Sequence, residues 1–415
     1  MSEIAPVLTS VLAVLSVALV VRLLVRNRDR IAYASVLAAV GLGVAAVGPD
    51  LGLELTADVI FLLLLPAVIF QGTTELNVRE LRDDAPLVLV LTLVGLPLAV
   101  AVMGLAGTVA FGFELPVALL FAAIILPTDP AAVLSLFEEF DVAERLAVTI
   151  EGESLLNDGV AIVIFSMLLA TIQTAGESVS DLATLAGLAG FAGDVAVVGG
   201  GGLVLGVVVG YLAHRLVRGL TDTMTVLLVT VIVAYGSFLV AEHYLHLSGV
   251  LATVGAGLAM GAHEETHAGM SDPEHTVQEV WDTLAFLVTT VLYVLIGSTV
   301  ALTEFLDHAG LIAAAAVLVL AVRALTIYPI VTATNALSGD PVPARCQHIM
   351  VWGGLHTVVP VALVLAVPDG VANGRPLETM VFGVALLSLV VQGLLMPVAL
   401  DVTGLAGGGE PGAEA

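Results

Sequence analysis

Acidic and amide side chains interrupt one of the most apolar parts of this sequence. The run is Glu151-Gly-Glu153-Ser154-Leu-Leu-Asn157-Asp158. At 3.6 residues per turn, Glu151, Ser154 and Asp158 share one face of a helix, and Glu153 and Asn157 share an adjacent face. Ionisable groups in such apolar segments are costly and are functional candidates by default. These side chains are therefore expected to face the protein interior or a water-filled cavity, not lipid.

A second group of candidate residues is Pro127-Thr128-Asp129-Pro130. Each proline disfavours helical backbone at the residue before it, and Pro130 lacks an N–H, so an unwound segment is predicted here. The apolar stretch that precedes it, 115–126, makes only about 18 Å of helix, which is too short to cross a bilayer. The break is therefore predicted inside the membrane. The alternative is an ordinary helix N-cap at the membrane surface, formed by Asp129.

A matching interruption comes late in the chain, in Trp352-Gly353-Gly354-Leu355-His356-Thr357-Val358-Val359-Pro360. Two broken helices in corresponding halves indicate a transporter built from inverted repeats, with its ion site near the bilayer midplane. Arg323 lies alone in another apolar stretch and needs a buried anionic partner. We expect that partner to be Glu153.

The composition shows which class of protein holds these groups. Of 415 residues, 59% are hydrophobic and only 12% are charged, which indicates an integral membrane protein. The predicted fold class is an all-α polytopic membrane protein with about 13 transmembrane helices, in inverted repeats whose two broken helices cross near the midplane. The apolar stretches are 6–25, 33–48, 55–71, 85–110, 115–139, 144–172, 192–214, 222–241, 247–262, 283–302, 309–336, 347–367 and 377–401.

Basic residues test this count, because they gather on the cytoplasmic side of membrane proteins. All 12 basic residues are arginine. With thirteen spans, Arg375 lies on one side, and the opposite side holds Arg22, Arg26, Arg28, Arg30, Arg79, Arg82, Arg145, Arg215, Arg218 and Arg345. This pattern predicts a multi-pass protein of the cell membrane with its N-terminus outside and its C-terminus in the cytoplasm.

The charge balance suggests a habitat. Acidic residues number 37, the formal net charge is -25, and lysine is absent. Acidic loops hold hydrated cations under strong screening, so this composition favours a halophilic, haloarchaeal cell. Compositional bias from a GC-rich genome would also remove lysine and stays an alternative.

Other features point to competing hypotheses. The run His263-Glu264-Glu265-Thr266-His267 fits the H-E-x-x-H pattern of zinc proteases, with His275 as a conceivable third ligand. An intramembrane zinc metalloprotease is therefore one alternative, but the run precedes residues of loop composition, which favours a solvated acidic loop. A cation channel or sensor is another, but no repeated filter-like loop is present. We also expect a short interfacial helix from Asp272 to about Trp281, and a buried acid at Asp58.

The motifs together resemble those of the monovalent cation/proton antiporters of the NhaP and sodium/proton exchanger group. The resemblance extends over nearly the whole chain. Two positions depart from the family pattern, since Gln71 stands where many members have glutamate, and His356-Thr357 replaces the usual arginine and glycine. The matching segments are Leu65-Pro66 through Phe70 and Gly72, Thr128-Asp129-Pro130, Glu153-Ser154-Leu-Leu-Asn157-Asp158, Leu284-Ala-Phe286 with Leu295-Ile-Gly297, and Gly353-Gly354-Leu355.

This resemblance implies exchange of Na+, or of Li+ or K+, for H+ by alternating access. It implies that Asp158 binds either the cation or a proton, with Asp129, Thr128 and Ser154 as further oxygen ligands. Asn157 before Asp158 is the pattern of the electroneutral branch. The family's buried arginine and its glutamate partner correspond to Arg323 and Glu153. No enzymatic activity, cofactor or nucleic-acid partner is expected.

The resemblance also implies a homodimer in which a mobile core of two inverted repeats moves against a dimerisation domain. Residues 1–82 and 221–305 are assigned to the dimerisation domain. The core comprises 83–172, which holds the ion site, and 306–403. Residues 173–220 form a linker helix, and 404–415 form a short disordered tail.

Overall fold

The computed structural model describes residues 4–26, 31–47, 56–129, 133–134, 136–137, 140–175, 184–262, 272–300, 302–337, 339–368, 371 and 374–406. Within this part of the chain the secondary structure is helical, apart from one isolated bridge between Asp129 and Leu355. The predicted tail lies largely outside it, because residues 407–415 are not described.

The helices are numbered here in chain order. Four π-helical segments, 59–64, 91–95, 240–245 and 388–392, extend or join them. The helices are α1 (Ile4–Val25), α2 (Tyr33–Val47), α3 (Leu65–Glu75), α4 (Val78–Val90), α5 (Leu96–Ala110), α6 (Leu115–Ile125), α7 (Glu144–Ala175), α8 (Leu185–Val217), α9 (Thr223–Leu239), α10 (Gly249–Gly261), α11 (Asp272–Thr299), α12 (Leu302–Asp307), α13 (Ala309–Asn335), α14 (Ala344–Trp352), α15 (Val358–Leu365), α16 (Gly374–Leu387) and α17 (Gly393–Thr403).

Each predicted apolar stretch coincides with one or two of these helices. Among the described residues, eight continuous helices are long and apolar enough to cross a membrane, and four shorter apolar helices accompany them. The all-helical polytopic class is therefore confirmed. The number of thirteen crossings stays a prediction.

The region around Trp281 differs from the sequence-based expectation. A separate interfacial helix was predicted to end there, but α11 runs unbroken from Asp272 to Thr299. Trp281 is only 2% exposed, and its Nε1–H donates to the hydroxyl of Thr230 at 3.0 Å. The prediction was wrong because Val277 and Trp281 are buried against neighbouring helices, so tertiary packing extends the helix through this segment.

Asp58 also differs from expectation. Its side chain is exposed at the start of the π-helical segment 59–64, and it makes no capping hydrogen bond. The apolar residues around it indicated burial, but one residue at a helix start can face outward while its neighbours pack inward.

The glycines of α8 allow close packing against α10. A Cβ atom at Gly202, Gly206 or Gly210 would overlap the carbonyl oxygen of Ser248, Ala252 or Ala256, respectively. The spacing of four residues places these glycines on one face, as in small-residue helix interfaces of membrane proteins.

We expect Gly206→Leu to destabilise the protein by roughly 1–3 kcal/mol, because the new side chain must displace the backbone of α10. Gly200→Leu is the matched control, since a Cβ at this exposed position meets nothing within 4 Å. Thermal unfolding of the two purified variants checks the prediction. Equal melting temperatures would contradict the packing role of Gly206.

Candidate functional site

Helix α7 brings the acidic and amide residues into the protein interior. Glu153, Ser154, Asn157 and Asp158 are 3%, 1%, 3% and 7% exposed, so none of them faces lipid. The amide Nδ2 of Asn157 donates to Oε1 of Glu153 at 3.0 Å, one turn away. The two predicted helix faces are therefore present, and their polar residues are buried except for Glu151, which is half-buried.

The two predicted breaks meet each other. Residues 126–129 after α6 are non-helical, as are 354–357 between α14 and α15. The N–H of Asp129 donates to the carbonyl oxygen of Leu355 at 2.7 Å, which forms an antiparallel bridge. Each break thus supplies a backbone partner to the other, and the predicted crossing of two broken helices is confirmed.

Hydroxyl groups surround this crossing. The hydroxyls of Thr128 and Ser154 lie 2.9 Å apart in a hydrogen bond, which joins the first break to α7. Thr357, the residue before α15, donates its hydroxyl hydrogen to Oδ2 of Asp129. The hydroxyl of Tyr293 on α11 lies 3.5 Å from the same oxygen. Thr128, beside Asp129, is 1% exposed, so this break lies inside the protein, which disfavours an N-cap at the surface.

Asp158 and Asp129 line one large cavity of about 760 Å3. Seven acidic side chains contribute to its wall, and none of the described arginines does. The exposed residues Asp141 and Glu144 lie at its outer end. At the inner end, Oδ1 of Asp158 is buried and has no hydrogen-bond partner. The cavity therefore connects solvent to a buried carboxylate through an electronegative passage.

The predicted buried ion pair is present. Nη2 of Arg323 lies 3.1 Å from Oε2 of Glu153, and the two side chains are 7% and 4% exposed. The Nε–H of Arg323 donates to the carbonyl oxygen of Met350 at 3.0 Å. A Cβ at Gly354 would overlap the guanidinium group, so this break needs glycine for the arginine to approach it.

Residues 13–402 match the model of the sodium/hydrogen exchanger transmembrane family. This chain belongs to the sodium/hydrogen exchanger family.

Curated relatives and solved structures agree with this assignment. The exchanger is 34% identical over 379 residues to the Na(+)/H(+) antiporter ApNhaP of Aphanothece halophytica, covering 91% of this chain and 71% of the relative. It is 32% identical over 348 residues to the Na(+)/H(+) antiporter NhaP of Pseudomonas aeruginosa, covering 81% and 79%. These relatives are named as antiporters and not as enzymes, so a transporter is confirmed.

The fold matches that of a solved structure. The sodium proton antiporter MjNhaP1 from Methanocaldococcus jannaschii at pH 8 superposes with a TM-score of 0.76, covering 97% of this chain and 98% of that one. The sequence identity is 17%, so this likeness concerns the fold alone.

Two site residues of the exchanger were not predicted from the sequence. Tyr293 and Thr357 both contact Asp129, yet Tyr293 was one aromatic residue in a predicted span, and Thr357 was noted only as a departure from the family pattern. A hydroxyl three residues after Gly354, at the end of the second break, was the available signal for Thr357. No sequence signal indicated Tyr293, which reaches the site through tertiary packing.

The other departures also have defined contacts. Nε2 of Gln71 donates to Glu75 and, at 3.3 Å, to Oδ1 of Asp282, so a neutral amide lies between two carboxylates in the cavity wall. Nδ1 of His356 lies 2.9 Å from the carbonyl oxygen of Pro127 in the first break. Glu151 lines the large cavity.

The zinc-protease motif His263-Glu264-Glu265-Thr266-His267 lies outside the described residues. Within the described part of the chain, no group of three or more His, Cys, Asp or Glu side chains could hold a metal ion. The membership in an exchanger family favours transport over proteolysis.

Proposed function

We propose that this exchanger moves Na+ in exchange for H+ across the cell membrane, with Asp158 binding either ion. The observation that carries this proposal is a buried carboxylate oxygen without a hydrogen-bond partner, at the inner end of an acid-lined cavity. A carboxylate removed from water is stable only when it is protonated or paired with a cation. The two ions therefore compete for Asp158.

The oxygen atoms around Asp158 suit a hard cation. Asp129, Thr128 and Ser154 provide a carboxylate and two hydroxyls, and hard cations prefer several oxygen ligands. We propose that Na+, the transported substrate, binds to these three residues and Asp158. Asn157, Glu153 and Arg323 support the site without binding the ion. No bound cofactor is part of this proposal.

We propose an exchange of one cation for one proton. Asn157 is neutral, and the charge of Glu153 is balanced by Arg323. When one carboxylate releases a proton and then binds a monovalent cation, the total charge of the site is the same with either ion bound. The transport cycle then moves no net charge.

Alternating access follows from the competition, because a site open to both sides at once would leak. The cavity reaches Glu144, next to Arg145, on the side where the arginines gather. We propose that this side is cytoplasmic, with the N-terminus outside and the C-terminus inside, and that the arrangement faces inward. The core of residues 83–172 and 306–403 would then move against residues 1–82 and 221–305.

A homodimer is also proposed. In the most apolar parts of α1 and α8, only 17% and 22% of the residues, respectively, are buried within one chain. Lipid or a second copy covers such faces. Crosslinking of the protein in native membranes tests this assembly.

The exchange is tested in proteoliposomes with a preset proton gradient and a pH-sensitive dye. We expect Na+ to dissipate the gradient, while choline does not, and the same assay with Li+ and K+ ranks the cations. To test stoichiometry, the membrane potential is set with K+ and valinomycin during Na+ exchange. A rate independent of the potential is expected, and a potential-dependent rate would contradict the one-for-one exchange.

A further inference from the structure

A second, much smaller cavity lies beside the Glu153–Arg323 ion pair. Its volume is about 30 Å3, and it shares no lining residue with the large acidic cavity. Its polar wall consists of Asn157, His356, Thr326 and the ion pair. Two of these side chains have a buried atom without a hydrogen-bond partner, Oδ1 of Asn157 and Nε2 of His356.

The hydrogen bonds around these two atoms define their chemistry. The amide Nδ2 of Asn157 already donates to Glu153, so its Oδ1 is an acceptor. Nδ1 of His356 faces the carbonyl oxygen of Pro127, which can only accept. Nδ1 must therefore carry the hydrogen, and Nε2 of the neutral ring is an acceptor. Arg323 in the same wall disfavours a second positive charge on the ring.

A single species with two hydrogens to donate would satisfy both buried acceptors of this cavity at once. Water has this property, and a space of roughly 10–15 Å3 by the same measure is enough for one molecule. A metal cation is disfavoured, because the guanidinium group of Arg323 lies in the wall. Leaving both acceptors unsatisfied would cost about 1–3 kcal/mol for each.

We propose that one ordered water molecule occupies this cavity and donates hydrogen bonds to Oδ1 of Asn157 and Nε2 of His356. Arg323 offers a donor to the water oxygen, since its guanidinium group carries N–H groups beyond those bonded to Met350 and Glu153. The water is separate from the transported ions, and its presence does not depend on the proposed exchange.

This water connects α7 to both breaks. His356 is fixed by the carbonyl oxygen of Pro127 and by its own N–H, which donates to the hydroxyl of Ser388 at 3.1 Å. Through the water, His356 holds the amide of Asn157, the residue next to Asp158. His356 is thus a positioning residue. Although it departs from the family pattern, it links the first break, Ser388 and Asn157 in one hydrogen-bond network.

The direct test is a structure of the full-length protein at a resolution that shows ordered waters. We expect one density peak within hydrogen-bond distance of both Oδ1 of Asn157 and Nε2 of His356. A cavity without density would overturn the proposal, as would a peak bonded to only one of the two atoms. This measurement needs no variant and no transport activity.

The second test compares two substitutions, each of which keeps one of the two hydrogen-bonding functions of the histidine ring. His356→Gln keeps an acceptor near the Nε2 position, whereas His356→Asn keeps a donor near the Nδ1 position and loses the acceptor. The drop in melting temperature caused by Asn157→Ala is measured in the wild type and in each background. We expect the same drop in His356→Gln as in the wild type, and a smaller drop in His356→Asn, where the bridge is already lost.

Thr326→Val is the matched control. Thr326 lines the same cavity, but its hydroxyl donates to the carbonyl oxygens of Val322 and Arg323 and not to the water. We expect its effect on melting temperature to be equal in all three backgrounds. An equal drop for Asn157→Ala in every background would contradict the bridge. A reduced drop for Thr326→Val in His356→Asn would also contradict it, because the cavity would then be repacking as a whole.

Discussion

Asp158→Asn is expected to abolish cation-dependent proton movement, with gradient dissipation falling to the level of liposomes without protein. The amide has nearly the same size as the carboxyl group, but it neither titrates nor carries the charge that a cation needs. Stability should be retained, because the substitution removes a carboxylate that is 7% exposed and has an unpaired oxygen. The dye assay with Na+ and the melting temperature of the purified variant are measured together.

The matched control is Asp58→Asn, the same substitution at an exposed carboxylate that makes no capping hydrogen bond. It should transport as the wild type does. Unaltered exchange by Asp158→Asn would refute the assignment of Asp158 as the carrier of the ion. Equal losses in both variants would instead indicate a general sensitivity to lost negative charge.

The local features of this site could be predicted from the sequence, because each depends on a few neighbouring residues. Helical spacing alone put Glu153 and Asn157 on one face, where they form a hydrogen bond. Proline chemistry indicated the break at Thr128-Asp129, and the late glycine pair indicated the second break. The partner of Arg323 followed from the cost of an isolated buried charge.

The contacts between distant segments could not be predicted in the same way. The hydrogen bond from Thr357 to Asp129 joins residues that are 228 positions apart, and it exists only because the two breaks cross at one register. Tyr293 reaches Asp129 from a third helix for the same reason. The wrong prediction of a short helix ending near Trp281 has a related cause. Composition suggested that this segment lies at the membrane interface, whereas packing against Phe70 and Thr230 buries the Trp281 ring.

The buried ion pair gives the second large expected effect. Arg323→Ala should lower the yield of folded protein and destabilise it by about 3–5 kcal/mol, because it leaves the carboxylate of Glu153 buried without a counter-charge. The carbonyl oxygen of Met350 would lose its donor as well. Fluorescence-detected size-exclusion chromatography of membrane extracts and thermal unfolding measure both effects.

A double variant separates charge from packing. In Arg323→Met with Glu153→Gln, no buried charge is left unpaired, and the glutamine oxygen still accepts from Asn157. Most of the lost yield should return, since replacing both members of a buried pair is often neutral. Arg82→Ala, at an exposed arginine, should have little effect on yield. Normal yield and melting of Arg323→Ala, with only a lower transport rate, would contradict a stabilising ion pair and would give Arg323 a direct role in the transport cycle.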